Sequence, residues 1–178
     1  MLKKILIALV VVIGVFVVVV AMQPSEFRIV RTAALSAPAS AVFAQVNDLH
    51  NWNAWDPWAK LDPESKDSFE GSPAGVGAIL RWAGNKKVGE GSMTILESKP
   101  DELVRIKLEF LKPFKATNTT EFTFAPQGDQ TLVTWSMFGE KSFMCKAMSL
   151  LMNCDKKVGE QFEKGLSNLK AVTETPAA

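Results

Sequence analysis

The chain has 178 residues, 47% of them hydrophobic and 22% charged, with a net charge of +1. That composition supports one domain with a real core and excludes a disordered chain. Taking Lys3 and Lys4 from the 20 basic residues leaves 18 against 19 acidic ones, so the rest of the chain has no basic excess to neutralise phosphates and nucleic acid is not an expected partner. One histidine and two cysteines exclude a zinc site built from Cys and His alone, and a Cys-rich disulfide framework.

In chain order, the first feature is an uninterrupted apolar run from Ile5 to Met22, preceded by Lys3 and Lys4 and followed by Gln23, Pro24, Ser25 and Glu26. As a helix it would reach about 27 Å, close to the hydrocarbon thickness of a bilayer. With the lysines held in the cytoplasm, the expectation is a single-pass inner (cytoplasmic) membrane protein whose domain faces the periplasmic, extracytoplasmic side. Two readings stay open: a retained signal anchor, favoured by the length of the run, and a cleaved signal peptide, for which Val19 and Ala21 are small enough. The expected organisation is an anchor or signal segment over 1–22, a linker over 23–26, a domain over 27–173 and a tail over 174–178.

Residues 27–36 predict a strand, 39–47 a short helix opened by Pro38, and 48–57 a second small helix. Segments of strand character then recur at 67–70, 77–83, 90–98, 103–111, 115–125 and 131–138, each closed by a turn signal. Val104, Ile106, Leu108 and Phe110 alternate with Arg105, Lys107 and Glu109, and Val133, Trp135 and Met137 with Thr134 and Ser136, the period of an antiparallel sheet with one face on a core. Short connections make a meander the simplest topology. Residues 142–154 are nearly all apolar, and Val158, Phe162, Leu166, Leu169 and Val172 then recur at helical steps, with Gly159 and Gly165 read as points of close approach to the sheet. The expected class is α+β: a curved antiparallel sheet of about six to seven strands around a long C-terminal helix, plus the N-terminal transmembrane helix.

Three stretches carry a resemblance. Ala37 to Phe43 with Asp48 and Trp52 resembles the strand-to-helix opening of the START-like (SRPBCC, polyketide cyclase/dehydrase) superfamily; Trp52 to Pro63 resembles its tryptophan-rich second helix; Asp155 to Lys170 resembles its C-terminal helix. The resemblance covers roughly residues 27–172 and is to a membrane-anchored bacterial subgroup. It implies the helix-grip fold with a hydrophobic cavity between sheet and helix, and members that bind lipids, sterols, polyketides or hormones, catalyse cyclisation or dehydration, or bind chaperones.

On the residues alone, His50 between Asp48 and Asp56 is a candidate acid–base group, set against a plain surface or capping role. The tryptophans and the methionines Met93, Met137, Met144, Met148 and Met152 read as core or as an adaptable cavity wall. Cys145 and Cys154 are too far apart for a disulfide on an unbroken helix and are expected free, a bond requiring a break near Asn153. The glycine-rich stretch 71–77 reads as a turn, and Lys86, Lys87, Lys112 and Lys115 as solvated loop charges within reach of anionic headgroups. With the resemblance added, the inward candidates for ligand binding are Trp55, Trp82, Met93, Ile95, Leu108, Phe110, Phe122, Phe124, Trp135, Met148 and Phe162. The leading expectation is a membrane-tethered binding domain for a lipid or other hydrophobic small molecule, with no cofactor or metal. A cyclase, dehydratase or hydrolase using His50, Asp48 or Asp56 is one alternative, and a chaperone-like or envelope-stress interaction domain another.

Overall fold

The structure, a computed structural model, describes residues 1–174. Helix α1 (Leu2–Ala21) is exposed along almost its whole length, with Val20 its one buried side chain, and is long and apolar enough to cross a membrane. Strand β1 (Glu26–Leu35) follows after four residues, then α2 (Ala39–Asn47), a single 3-10 turn at Leu49–Asn51, the one-turn helix α3 (Trp52–Trp55) and another 3-10 turn at Ala59–Leu61. Six strands come next: β2 (Lys66–Gly71), β3 (Ala78–Ala83), β4 (Glu90–Lys99), β5 (Leu103–Lys112), β6 (Ala116–Gln127) and β7 (Gln130–Glu140). Helices α4 (Phe143–Leu151) and α5 (Cys154–Glu174) close the described chain. The expected 174–178 tail therefore begins one residue inside α5, and its remainder lies outside the described residues.

The strands form one antiparallel sheet in the order β1-β7-β6-β5-β4-β3-β2. Six strands are a meander, and β1 departs from it by pairing with β7, from Glu26↔Glu140 to Leu35↔Thr131. The expected sheet, long C-terminal helix and apolar N-terminal helix are all present, and the architecture is the helix-grip fold. The C-terminal helical region is two helices, not one. Met152 is extended, and the Asn153 side chain accepts the backbone N–H of Lys156 at 2.9 Å, so Asn153 caps a fresh start. Cys145 and Cys154 are both free.

Helix α5 lies along the concave face and is fixed at two close approaches. A Cβ on Gly165 would sit 2.6 Å from the Trp135 ring, and one on Gly159 would overlap the Arg31 guanidinium. Arg31 reaches from β1 to Glu163 at 2.8 Å and Asp155 at 3.2 Å, bonds that hold its pKa above the ordinary arginine value and tie the first half of α5 to the sheet edge. The core sits between α2, α3, α5 and the middle of the sheet: Trp55, Phe122, Leu35, Ile95, Ile106, Leu166 and Leu169 are all below 2% exposed. Removing each such side chain from water is worth about 1.5–3 kcal/mol.

Candidate functional site

Towards the end of the sheet where β1 begins, the core gives way to a cavity of about 560 Å³, within the usual range for small-molecule sites. Its wall follows from the period of two. Leu80 and Trp82 on β3, Met93 on β4, Leu108 and Phe110 on β5, Thr120 on β6, and Trp135 and Met137 on β7 all face it, and Val158 and Phe162 on α5 roof it. Trp135 stacks flat on Phe162, ring centroids 4.1 Å apart and planes within 7°, and Trp82 meets Phe110 edge to face at 6.0 Å. The indole N–H groups are satisfied elsewhere: Trp135 donates to Thr120 Oγ1 at 2.9 Å and Thr120 in turn to the Ser136 carbonyl, while Trp82 donates to the Val88 carbonyl at 3.4 Å. The floor therefore offers a ligand mainly apolar surface, and Asn118, opposite Leu108 on the same face, keeps a buried side-chain oxygen with no hydrogen-bond partner among the described residues.

The mouth is polar. Its lips are Asp56, Lys60, Asp62 and Ser65 on the segment between α3 and β2, Asp67 on β2, Lys112 at the end of β5, and Lys87, Val88 and Pro113 on the β3–β4 and β5–β6 loops. Asp56 is the unusual group. Burial pushes its carboxyl up to about 7, the backbone N–H groups of Trp58 and Ala59 pull it partly back, and the nearby charge of Asp67 adds to the rise. Among the described residues no group of three His, Cys, Asp or Glu side chains is placed to hold a metal ion.

Of the eleven ligand candidates from the sequence, Trp82, Met93, Leu108, Phe110, Trp135 and Phe162 come together around the cavity. Trp55, Ile95, Phe122 and Phe124 share the same inward face but lie in the filled half, among the buried core. Met148 lies on α4, away from the cavity wall. Met137, one of the methionines read as core or cavity wall, also lines it, as do Leu80 and Thr120, which the sequence reading does not single out although each is two residues from a candidate on its own strand. His50 is half-exposed, bonded to Asp48 at 2.8 Å and stacked on Phe69 at 4.0 Å, so neither His50 nor Asp48 reaches the cavity. Asp56 is the one member of that trio that does.

The profile of the family described as polyketide cyclase / dehydrase and lipid transport matches residues 26–174. The chain belongs to this family. Solved structures agree on the fold of this polyketide cyclase/dehydrase-family domain. Protein CV1439 from Chromobacterium violaceum is 18% identical with a TM-score of 0.60, the match covering 86% of this chain and 99% of that one. Protein MLL2253 from Mesorhizobium loti is 12% identical with a TM-score of 0.63, covering 85% and 100%. The di-domain ARO/CYC protein BexL of the BE-7585A biosynthetic pathway is 16% identical with a TM-score of 0.62, covering 90% of this chain and 54% of that one. No curated protein sequence matches the chain.

Proposed function

We propose that this domain holds a lipid or other largely apolar small molecule in its sheet–helix cavity, and that α1 tethers it to a membrane with the domain on the extracytoplasmic side. The observation that carries the binding reading is the cavity itself: about 560 Å³ of space bounded by aromatic and aliphatic side chains, with charged groups confined to its mouth. An apolar body fits the floor, and a polar head fits the lips. The family's description, which includes lipid transport, points the same way. The tether rests on the length and composition of α1 and on the two lysines before it.

The test is native mass spectrometry of the full chain, extracted gently from membranes, followed by solvent extraction of what it carries. A hydrophobic molecule near one-to-one stoichiometry is the expected result, and Phe110→Asp, which puts a charge on the cavity wall, should cut its occupancy by more than about tenfold. A folded Phe110→Asp protein with full occupancy would move the ligand out of this cavity.

A second reading has one observation in its favour. Asp56 lies at the edge of an apolar cavity with its carboxyl poised near neutrality, the state a general acid–base group for cyclisation or dehydration needs. In that reading Asp56→Asn abolishes turnover of a bound substrate and leaves its binding intact.

A further inference from the structure

The end of α1, helix α4 and one lip of the cavity lie on the same side of the domain. We propose that this side, made of the β3–β4 loop, the β5–β6 loop and α4, is a docking surface for an anionic lipid bilayer, so that the cavity mouth opens onto the membrane. The placement rests in part on the reading of α1 as a retained tether. The surface itself rests on exposed side chains outside α1.

Covalent geometry limits the distances. Only Met22 to Ser25 separate α1 from β1, a span of at most about 14 Å when fully extended. The turn is also fastened. The backbone N–H of Lys141 donates to the Ser25 carbonyl at 2.6 Å, the Lys146 ammonium donates to the Ser25 hydroxyl at 2.9 Å, and Val20 is fully buried near the end of α1, which packs against α4. Register then carries this level across the sheet. Glu26 pairs with Glu140, Gly139 with Asn118, Ala116 with Phe110, Lys112 with Glu90, and Glu90 with Ala83. The loops at 84–89 and 113–115 therefore project from the sheet end at which the chain leaves α1. A bilayer crossed by α1 would meet these loops.

What they present suits such a surface. Phe114 is 49% exposed, and Phe143 and Met144 on α4 are each 51% exposed. Large apolar side chains this open, beside the exit of an apolar helix, match the interfacial layer of a membrane. Lys86, Lys87, Lys115 and Lys141 lie among them and make no ion pair among the described residues, leaving their charge for headgroups. Lys112 is already paired with Glu90 at 2.7 Å. Asp62 lies at the same end of the sheet, where its carboxylate accepts the backbone N–H of Asn85 at 2.5 Å and is thereby engaged with the β3–β4 loop.

The test uses the full chain carrying Cys145→Ser and Cys154→Ser, with one new cysteine at a time bearing a fluorophore: Phe114→Cys, Phe143→Cys, Phe16→Cys in α1, or Val76→Cys at the opposite end of the sheet. Each protein is reconstituted into vesicles of phosphatidylcholine and phosphatidylglycerol containing a lipid-borne quencher. The expected result is severalfold stronger quenching at positions 114 and 143 than at 76, falling by at least about half when Lys86→Glu and Lys115→Glu are combined. Quenching at 16 without quenching at 114 and 143 would mean a tether without docking and would overturn the proposal. Equal quenching at 76 would overturn it as well. Absence of quenching at 16 would count against the tether alone, and quenching at 114 and 143 would then still establish the surface.

Discussion

Asp56 sits where two requirements conflict. Its backbone partners, the N–H groups of Trp58 and Ala59, favour a carboxylate, while the apolar surroundings of the cavity disfavour it more strongly, and the carboxyl rises from the ordinary 3.8 to about 7. The consequence for stability has a definite sign. The folded-state value lies above the unfolded one, so the folded protein holds the proton more tightly. The stabilisation is complete below the unfolded value, declines as pH rises through the interval up to about 7, and is gone above it. Asp56→Asn removes the titration. Denaturation should show the variant about 1–2 kcal/mol more stable than the parent near pH 8 and equal to it near pH 4, less than the full conversion of the shift because the mouth admits water. An equal gain at both pH values would show that desolvation is not the cause. The sequence offered Asp56 as one of three acid–base candidates, with His50 and Asp48, and had no ground to choose among them. Burial separated the two, leaving the histidine stacked on Phe69 in solvent and the aspartate at the cavity, and no spacing rule carries that information.

At the scale of elements, strands were legible because period two needs no knowledge of partners. The inward residues of β5 and β7 follow it along their length, and β1, β4 and β6 were bounded to within a residue or two. The pairing of β1 with β7 was not legible, since it is decided by long-range closure of the sheet and not by local pattern. The break between α4 and α5 had a local signal, an asparagine able to cap, at the point where a disulfide would have required it. The two helical glycines show a cost offset by tertiary contact. Gly165→Ala should gain about 1 kcal/mol in helix propensity, yet its methyl would meet the Trp135 ring at 2.6 Å and Pro57 at 3.0 Å. Because Trp135 is stacked on Phe162 and hydrogen-bonded to Thr120, the ring has little freedom to yield. Thermal unfolding should therefore find Gly165→Ala destabilised by about 1–3 kcal/mol overall. A stabilised variant would mean that α5 rides more loosely on the sheet than its contacts imply.

The whole molecule divides its concave face into a filled half and an open one. Where α2 and α3 cover the sheet, Trp52 and Trp55 descend onto Phe122 and the space closes, with Val104 and Ile106 fully buried beneath. Past the ends of those helices the register puts Gly91, Asn118, Thr120 and Gly139 on the same face, two of them without a side chain to fill space, and Leu108, Phe110 and Trp82 line the cavity. This division explains why four of the eleven ligand candidates became core: alternation fixes the face of a residue, but whether that face is covered depends on which helix lies above it. It also gives a way to separate fold from binding. Leu108→Trp adds an indole into the open half, where about 560 Å³ can receive it, so its melting temperature should stay at or above that of the parent while ligand occupancy falls by more than about tenfold. Val104→Trp places the same ring four residues away in the filled half, where overpacking should cost about 1–3 kcal/mol or more. If both variants lost stability alike, the open half would be closed in solution by movement of α5. If Leu108→Trp kept its ligand, the molecule would be held nearer the lips than the floor.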